Sequence, residues 1–241
     1  MSVFVLTLRG LLLRWRTLGL LALTVAVGVV AVLLRLFAGY EHRLDAYGQY
    51  TGRLLVPVVI ALVSLVIGVS AFGDEREEGT MPLLMATPTA RWRIVLGKLL
   101  AAMLTSFLLV VPAVVGGILL GTGTLLPTGK MIAATVAASA AATVGYTALF
   151  LLLSLLVQRG VLVGMGYVVL WEGVFANYAS AARSLSIGAY GRRILKAGFE
   201  DFKVPFLLPS GTVLTAVIVL TIVTILAYMA SSWRLPRVDI R

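Results

Sequence analysis

Six apolar runs, each of about 18 residues or more with almost no charge, fill most of this 241-residue chain. That blocking constrains the fold more than any other feature. The runs cover residues 17–38, 54–72, 94–120, 131–157, 161–177 and 213–233. A helix rises 1.5 Å per residue, so about 20 residues cross the ~30 Å hydrocarbon core of a bilayer. The expectation is an all-α polytopic membrane protein, a single transmembrane domain over residues 1–241 with six transmembrane helices. Only 12% of the residues are charged, against about 25% in a soluble domain. The polar remainder is too short for a soluble domain of ~100 residues. The first run is too long for a signal-peptide core and lacks a small-residue cleavage site, so it reads as a retained span.

The chain has no cysteine, which excludes disulfides, thiolate metal sites and a cysteine nucleophile. Its net charge of +10 resides mostly in arginines near the ends of the runs. That placement suits membrane-lipid headgroups. Nucleic acid would need a basic soluble face, which this layout does not provide. With the N-terminus inside, eleven basic residues fall on the inner side and nine on the outer. Arg9, Arg14 and Arg16 precede the first span, so both termini are expected in the cytoplasm. Arginine in excess of lysine, with abundant Ala, Val and Gly, points to a GC-rich bacterial source and hence a bacterial cytoplasmic membrane.

Residues 1–16 have the pattern of an interfacial helix. Phe4, Leu8, Leu11, Leu12 and Trp15 share one face, with Arg9 and Arg16 opposite. Residues 39–52 read as a short outer loop, and His42 with Glu41 and Asp45 lacks metal-ligand spacing. The segment from Gly121 to Lys130 resembles a phosphate-binding loop only superficially. Five residues separate Gly123 from Gly129, and Met131 follows the lysine. Gly117 with Gly121, and Gly160 with Gly164, have the spacing that lets helices approach closely, within the chain or across a dimer. The fifth run carries Glu172 after Trp171. An acidic side chain inside a span is a functional candidate by default, so both residues are candidates for the translocation path or a gate. The plainer reading is a carboxylate at headgroup depth beside an arginine such as Arg183. Residues 178–210 are expected outside, as short surface helices or a partial return into the membrane.

Residues 73–93 carry the densest charge. Asp74, Glu75, Glu77 and Glu78 precede Gly79, then come Thr80, Leu83, Leu84, Pro88, Arg91 and Arg93. Acidic residues favour the first turn of a helix, and the residue before Pro88 disfavours helix. A short cytoplasmic helix, a break and re-entry at 91–98 are expected. Leu83 and Leu84 on such an element suit a groove on a soluble partner, with the charges setting register.

The pattern E-x-E-x-G-T-x-x-L-L-x-x-T-P (residues 75–88), followed by R-x-x-I-x-x-G-K (residues 91–98), resembles permease subunits of type-2 ABC transporters. The resemblance extends to the six spans, the N-terminal helix, Trp171-Glu172 and the segment around Leu185, Ser186, Ile187 and Tyr190. It implies that residues 73–93 are a coupling loop fitted against a cytosolic ABC ATPase subunit. Glu75, Arg76, Glu77, Glu78, Gly79, Thr80, Leu83 and Leu84 would form the contact. Pro88, Arg91, Gly97 and Lys98 would shape the return into the third span. A second permease copy or a paralogue completes the complex. ATP and Mg2+ would sit on the partner, with no cofactor and no catalytic or metal-binding residue in this chain. The implied function is the membrane half of an ATP-driven transporter, as an exporter.

An autonomous channel or ion-coupled secondary carrier is the alternative. Such a carrier would show several intramembrane charges or interrupted helices in matching halves, and only Glu172 qualifies. An intramembrane Glu-Glu-x-x-x-Arg protease would need arginine at Pro82, and a serine–histidine site would need a histidine within the membrane. Neither is present.

Overall fold

The computed structural model describes residues 3–12, 14–37, 39, 42–80, 90–121, 129–199 and 208–235. Every regular element among them is helical. α1 (Val3–Leu12) turns at Arg14 into α2 (Trp15–Phe37), and the Thr17 hydroxyl donates to the Leu11 carbonyl across the elbow. α3 (Arg43–Gln49), a π-helical stretch (Tyr50–Val59) and α4 (Ile60–Glu77) then form one continuous rod. Pro57 lies in the π-helical part. Proline removes an N–H and crowds the carbonyl one turn back, which the wider π spacing accommodates. α5 (Arg91–Gly121) and α6 (Gly129–Leu156) follow. α7 (Gly160–Gly166) runs into a second π-helical stretch (Tyr167–Phe175). Two short turns lead to α8 (Ile187–Lys196), and α9 (Val213–Arg234) comes last.

Five of the described helices are long and apolar enough to cross a membrane: Trp15–Phe37, Arg43–Arg76, Arg91–Leu120, Gly129–Leu156 and Val213–Arg234. The sixth expected run is the shorter apolar helix Gly160–Phe175. Two further expectations change. The region read as an outer loop, 39–52, is helical from Arg43, with Tyr47 and Tyr50 buried. Their hydroxyls are satisfied by Thr135 Oγ1 at 2.6 Å and the Ala113 carbonyl at 2.9 Å, so the ring faces are free to pack. Of the two alternatives for residues 178–210, surface helices do not describe α8, in which Ile187 to Arg192, Ile194 and Leu195 are buried.

α4 and α6 form the centre. α4 packs on α6 and α5, while α6 also meets α8 and α9, and α2 lies on α5. The central rod is 72% buried over its apolar window, whereas α2 and α9 are 22% and 17% buried. The outer two helices therefore present apolar side chains to lipid or to another chain. Inside the bundle, hydroxyls such as Thr51, Thr105, Thr143 and Ser231 donate to the carbonyl four residues back. This local bond lets small polar residues enter an apolar core without an orphaned donor.

Glycines set the closest approaches. A Cβ on Gly116 would land on the Gly28 backbone, so α2 and α5 touch main chain to main chain. A Cβ on Gly68 would sit 3.0 Å from Phe150 Cβ and 3.1 Å from the Thr147 carbonyl, which fixes the contact of α4 with α6. Gly117 faces the Tyr50 ring, and Gly160 and Gly164 face Val69 and Leu65. These three glycines therefore serve packing within the chain.

Candidate functional site

The acidic strip lies at the end of a helix rather than at the start of one. α4 continues through Asp74 and Glu75 to Glu77, and Gly79 adopts φ +67°. The Gly79 N–H donates to the Arg76 carbonyl at 3.4 Å and the Thr80 N–H to the Glu75 carbonyl at 3.0 Å. This pair of bonds is the glycine-based Schellman termination. The Gly79-Thr80 step is therefore a helix stop. The carboxylates stand at the negative end of the helix dipole, opposite to the expected arrangement, and need cations from elsewhere.

Two regions supply them. From the α1–α2 elbow, Arg14 pairs with Asp74 at 2.7 Å and with Glu78 at 2.6 Å, and Arg16 reaches Asp74 at 3.0 Å. From α5, Lys98 pairs with Glu75 at 2.5 Å. Lys98 is only 2% exposed; its ammonium also donates to the Ala71 carbonyl and lies 4.5 Å from the Phe72 ring centre. Arg76 points the other way and donates to the Ser154 and Val157 carbonyls at 3.0 and 3.4 Å, capping the C-terminal end of α6. A cleft of about 450 Å³ between α1, α4 and α5 is lined by Arg14, Asp74, Glu75, Glu78 and Lys98.

The expected coupling residues thus divide. Glu75, Arg76 and Lys98 are engaged within the chain. Gly97 lies under α1, where a Cβ would approach the Phe4 nitrogen to 3.3 Å. Glu77 is the last residue of α4. Glu78, Gly79, Thr80 and Arg91 are at the surface. Leu83, Leu84 and Pro88 lie outside the described residues. Arg14, Arg16 and Asp74, absent from the expected set, complete the network.

Glu172 is buried, at 2% exposed. Its carboxylate accepts from Ser186 Oγ at 2.5 Å, the Gly188 N–H at 3.2 Å and the Tyr167 hydroxyl at 3.3 Å. Ser186 is the N-cap of α8 and also accepts from the Ala189 N–H at 2.9 Å. Glu172 therefore sits on the positive end of α8, whose free N–H groups and dipole favour a carboxylate. Arg192, buried on the same helix, adds an attractive charge. Arg183 donates to the Ala176 carbonyl at 3.1 Å. A Cβ on Gly188 would lie 2.7 Å from the Tyr146 hydroxyl and 2.8 Å from Glu172 Oε2. Only glycine leaves room for both polar groups there. Trp171 packs its ring 6.0 Å from Phe175.

The site has a clear position along the bundle. Gly188 meets Tyr146, whereas Gly198 meets Lys130 near the start of α6. α8 thus runs antiparallel to α6, with its N-terminus on the order of 20 Å down the α6 axis. Glu172 was legible in the sequence as an acidic residue in an apolar run, and Ser186 ahead of a helical stretch is a helix-start signal that was not used. Tyr146 and Gly188 gave none.

No curated protein matches the chain. A family model described as ABC-2 family transporter protein matches residues 26–171, from the middle of α2 to Trp171. With more than half of its length matched, this multi-pass helical chain belongs to the ABC-2 transporter family as the membrane permease component of an ABC transporter.

Proposed function

We propose that the chain is the permease half of an ATP-driven exporter in a bacterial cytoplasmic membrane, driven by a separate cytosolic ABC ATPase. The end of the bundle that carries Arg14, Asp74 and Lys98 faces the cytoplasm, as do both termini. Two permease copies, or this chain and a paralogue, enclose the pathway. ATP and Mg2+ bind on the ATPase. The observation that carries this reading is the ion-pair network around the stop at Gly79. Residues 81–89 lie between the end of α4 and the start of α5. Asp74 ties the first of these ends to the α1–α2 elbow, and Lys98 ties it to α5. A push delivered to residues 81–89 therefore reaches several helices together.

The test is retention of the ATPase by the tagged chain in detergent, read with ATP hydrolysis in the eluate. Leu83→Asp with Leu84→Asp is expected to abolish retention while leaving membrane insertion intact. Retention equal to wild type would overturn the docking role of the loop. A chain that purifies alone and transports without ATP would overturn the ATP-driven reading.

A further inference from the structure

A second cleft, of about 500 Å³, opens between α4, the end of α6 and the start of α7. It differs in chemistry from the acidic cleft beside α1. Arg76, Gln158 and Arg159 form its rim, Val69, Leu162 and Met165 are among its apolar walls, and among the described residues no acidic side chain lines it. The Arg76 guanidinium is held in place by the two carbonyls at the end of α6. Arg159 is exposed and has no ion pair among the described residues. Leu162 and Met165 are 68% and 43% exposed, so the wall they form is apolar surface that the chain itself does not cover.

Polarity is ordered along the bundle axis. Val69 lies about 10 Å deeper than Arg76 on α4, and Met165 lies a similar depth beyond Arg159 on α7. Cations sit at the helix ends and hydrocarbon lies farther in. A soluble anion would use only the rim, and a neutral apolar molecule only the wall. An anionic amphiphile uses both, and basic pockets between helices at a membrane face bind such headgroups. We propose that this cleft binds one anionic phospholipid, with its phosphate between Arg76 and Arg159 and its upper acyl chain along Leu162 and Met165. The proposal requires only that the chain spans a membrane and is independent of the transport cycle.

The full chain in detergent would be titrated with phosphatidylglycerol, phosphatidylcholine or inorganic phosphate. The thermal unfolding midpoint and the lipid retained in native mass spectrometry would be read. Phosphatidylglycerol is expected to raise the midpoint and to remain bound at one per chain, with phosphatidylcholine and phosphate ineffective. Arg159→Gln, at an exposed position, is expected to weaken retention about fivefold, and Leu162→Glu to weaken it as well. Arg76→Gln also uncaps α6, so Arg159→Gln is the deciding variant. Equal retention of both lipids, or unchanged binding in Arg159→Gln, would overturn the proposal. Stabilisation by inorganic phosphate equal to that by phosphatidylglycerol would make the cleft a soluble-anion site and overturn it too.

Discussion

Glu75 and Glu172 are both carboxylates on mostly apolar helices, and their surroundings differ in kind. Glu75 is near an end of the bundle, partly exposed, and its charge is met by the ammonium of Lys98. Glu172 lies within the bundle, and its hydrogen-bond donors are a hydroxyl of an N-cap, a backbone N–H and a phenol. Long cationic side chains can break and re-form a pair as helices shift. Short neutral donors fixed on a helix terminus cannot follow such movement. The first arrangement suits a place where force enters and elements rearrange. The second suits a joint that keeps α8 attached to the π-helical end of the α7 segment.

The sharpest way to break this comparison is to remove Lys98. Lys98→Met leaves the Glu75 carboxylate without its cation and is expected to cost about 3–5 kcal/mol of stability, measured by unfolding in detergent. Adding Glu75→Gln is expected to recover most of that loss; a cost that stays the same would mean that Lys98 acts through packing alone. Next, Glu172→Leu orphans the Gly188 N–H and is expected to cost about 1–3 kcal/mol. Faster hydrogen exchange confined to residues 187–196 would be its signature, whereas uniform loosening would remove the joint assigned here. Gly188→Ala tests the same place from the other side by pushing on Tyr146 and Glu172. It is expected to cost about 1–3 kcal/mol through overpacking, with the same local exchange pattern. The smallest effect belongs to Arg14→Gln, about 0–1 kcal/mol, because its pair with Glu78 is solvent-facing and Arg16 still reaches Asp74. Raising salt to about 1 M, where the screening length falls to about 3 Å, is expected to mimic Arg14→Gln and to leave the Glu172 variants unchanged.

Hydropathy located four of the five long helices to within a few residues, because spans such as Val213–Arg234 are apolar on every side. It failed where burial depends on partners distant in sequence. Arg192, Arg193 and Lys196 make α8 read as a surface segment. Yet Gly188 and Gly191 let it lie against Pro57, Val56 and Ala142, and Glu172 meets its positive end. The rod from Arg43 was missed for a similar reason. Tyr47 and Tyr50 look like loop residues until Thr135 and the Ala113 carbonyl satisfy their hydroxyls. At the acidic strip the dipole rule, applied to sequence alone, pointed to the wrong helix end. Gly79 was the better signal, since glycine just beyond a helical run marks its stop. The compensating cations were visible as Arg14, Arg16 and Lys98, but their pairing was not, because 58 and 23 residues separate Arg16 from Asp74 and Lys98 from Glu75.

The rod from Arg43 to Glu77 also has mechanical proportions. It lies close against α6 at Gly68, far from its midpoint. At 1.5 Å per residue the arm from Gly68 to Glu77 is roughly 14 Å and the arm back to Arg43 roughly 38 Å. Tilted as a rigid body about Gly68, the rod is a lever with unequal arms. A displacement of about 1 Å at the Glu77 end would become about 2.7 Å, in the opposite direction, at Arg43. Moving the pivot by substituting Gly68 would alter that gain without touching a charge.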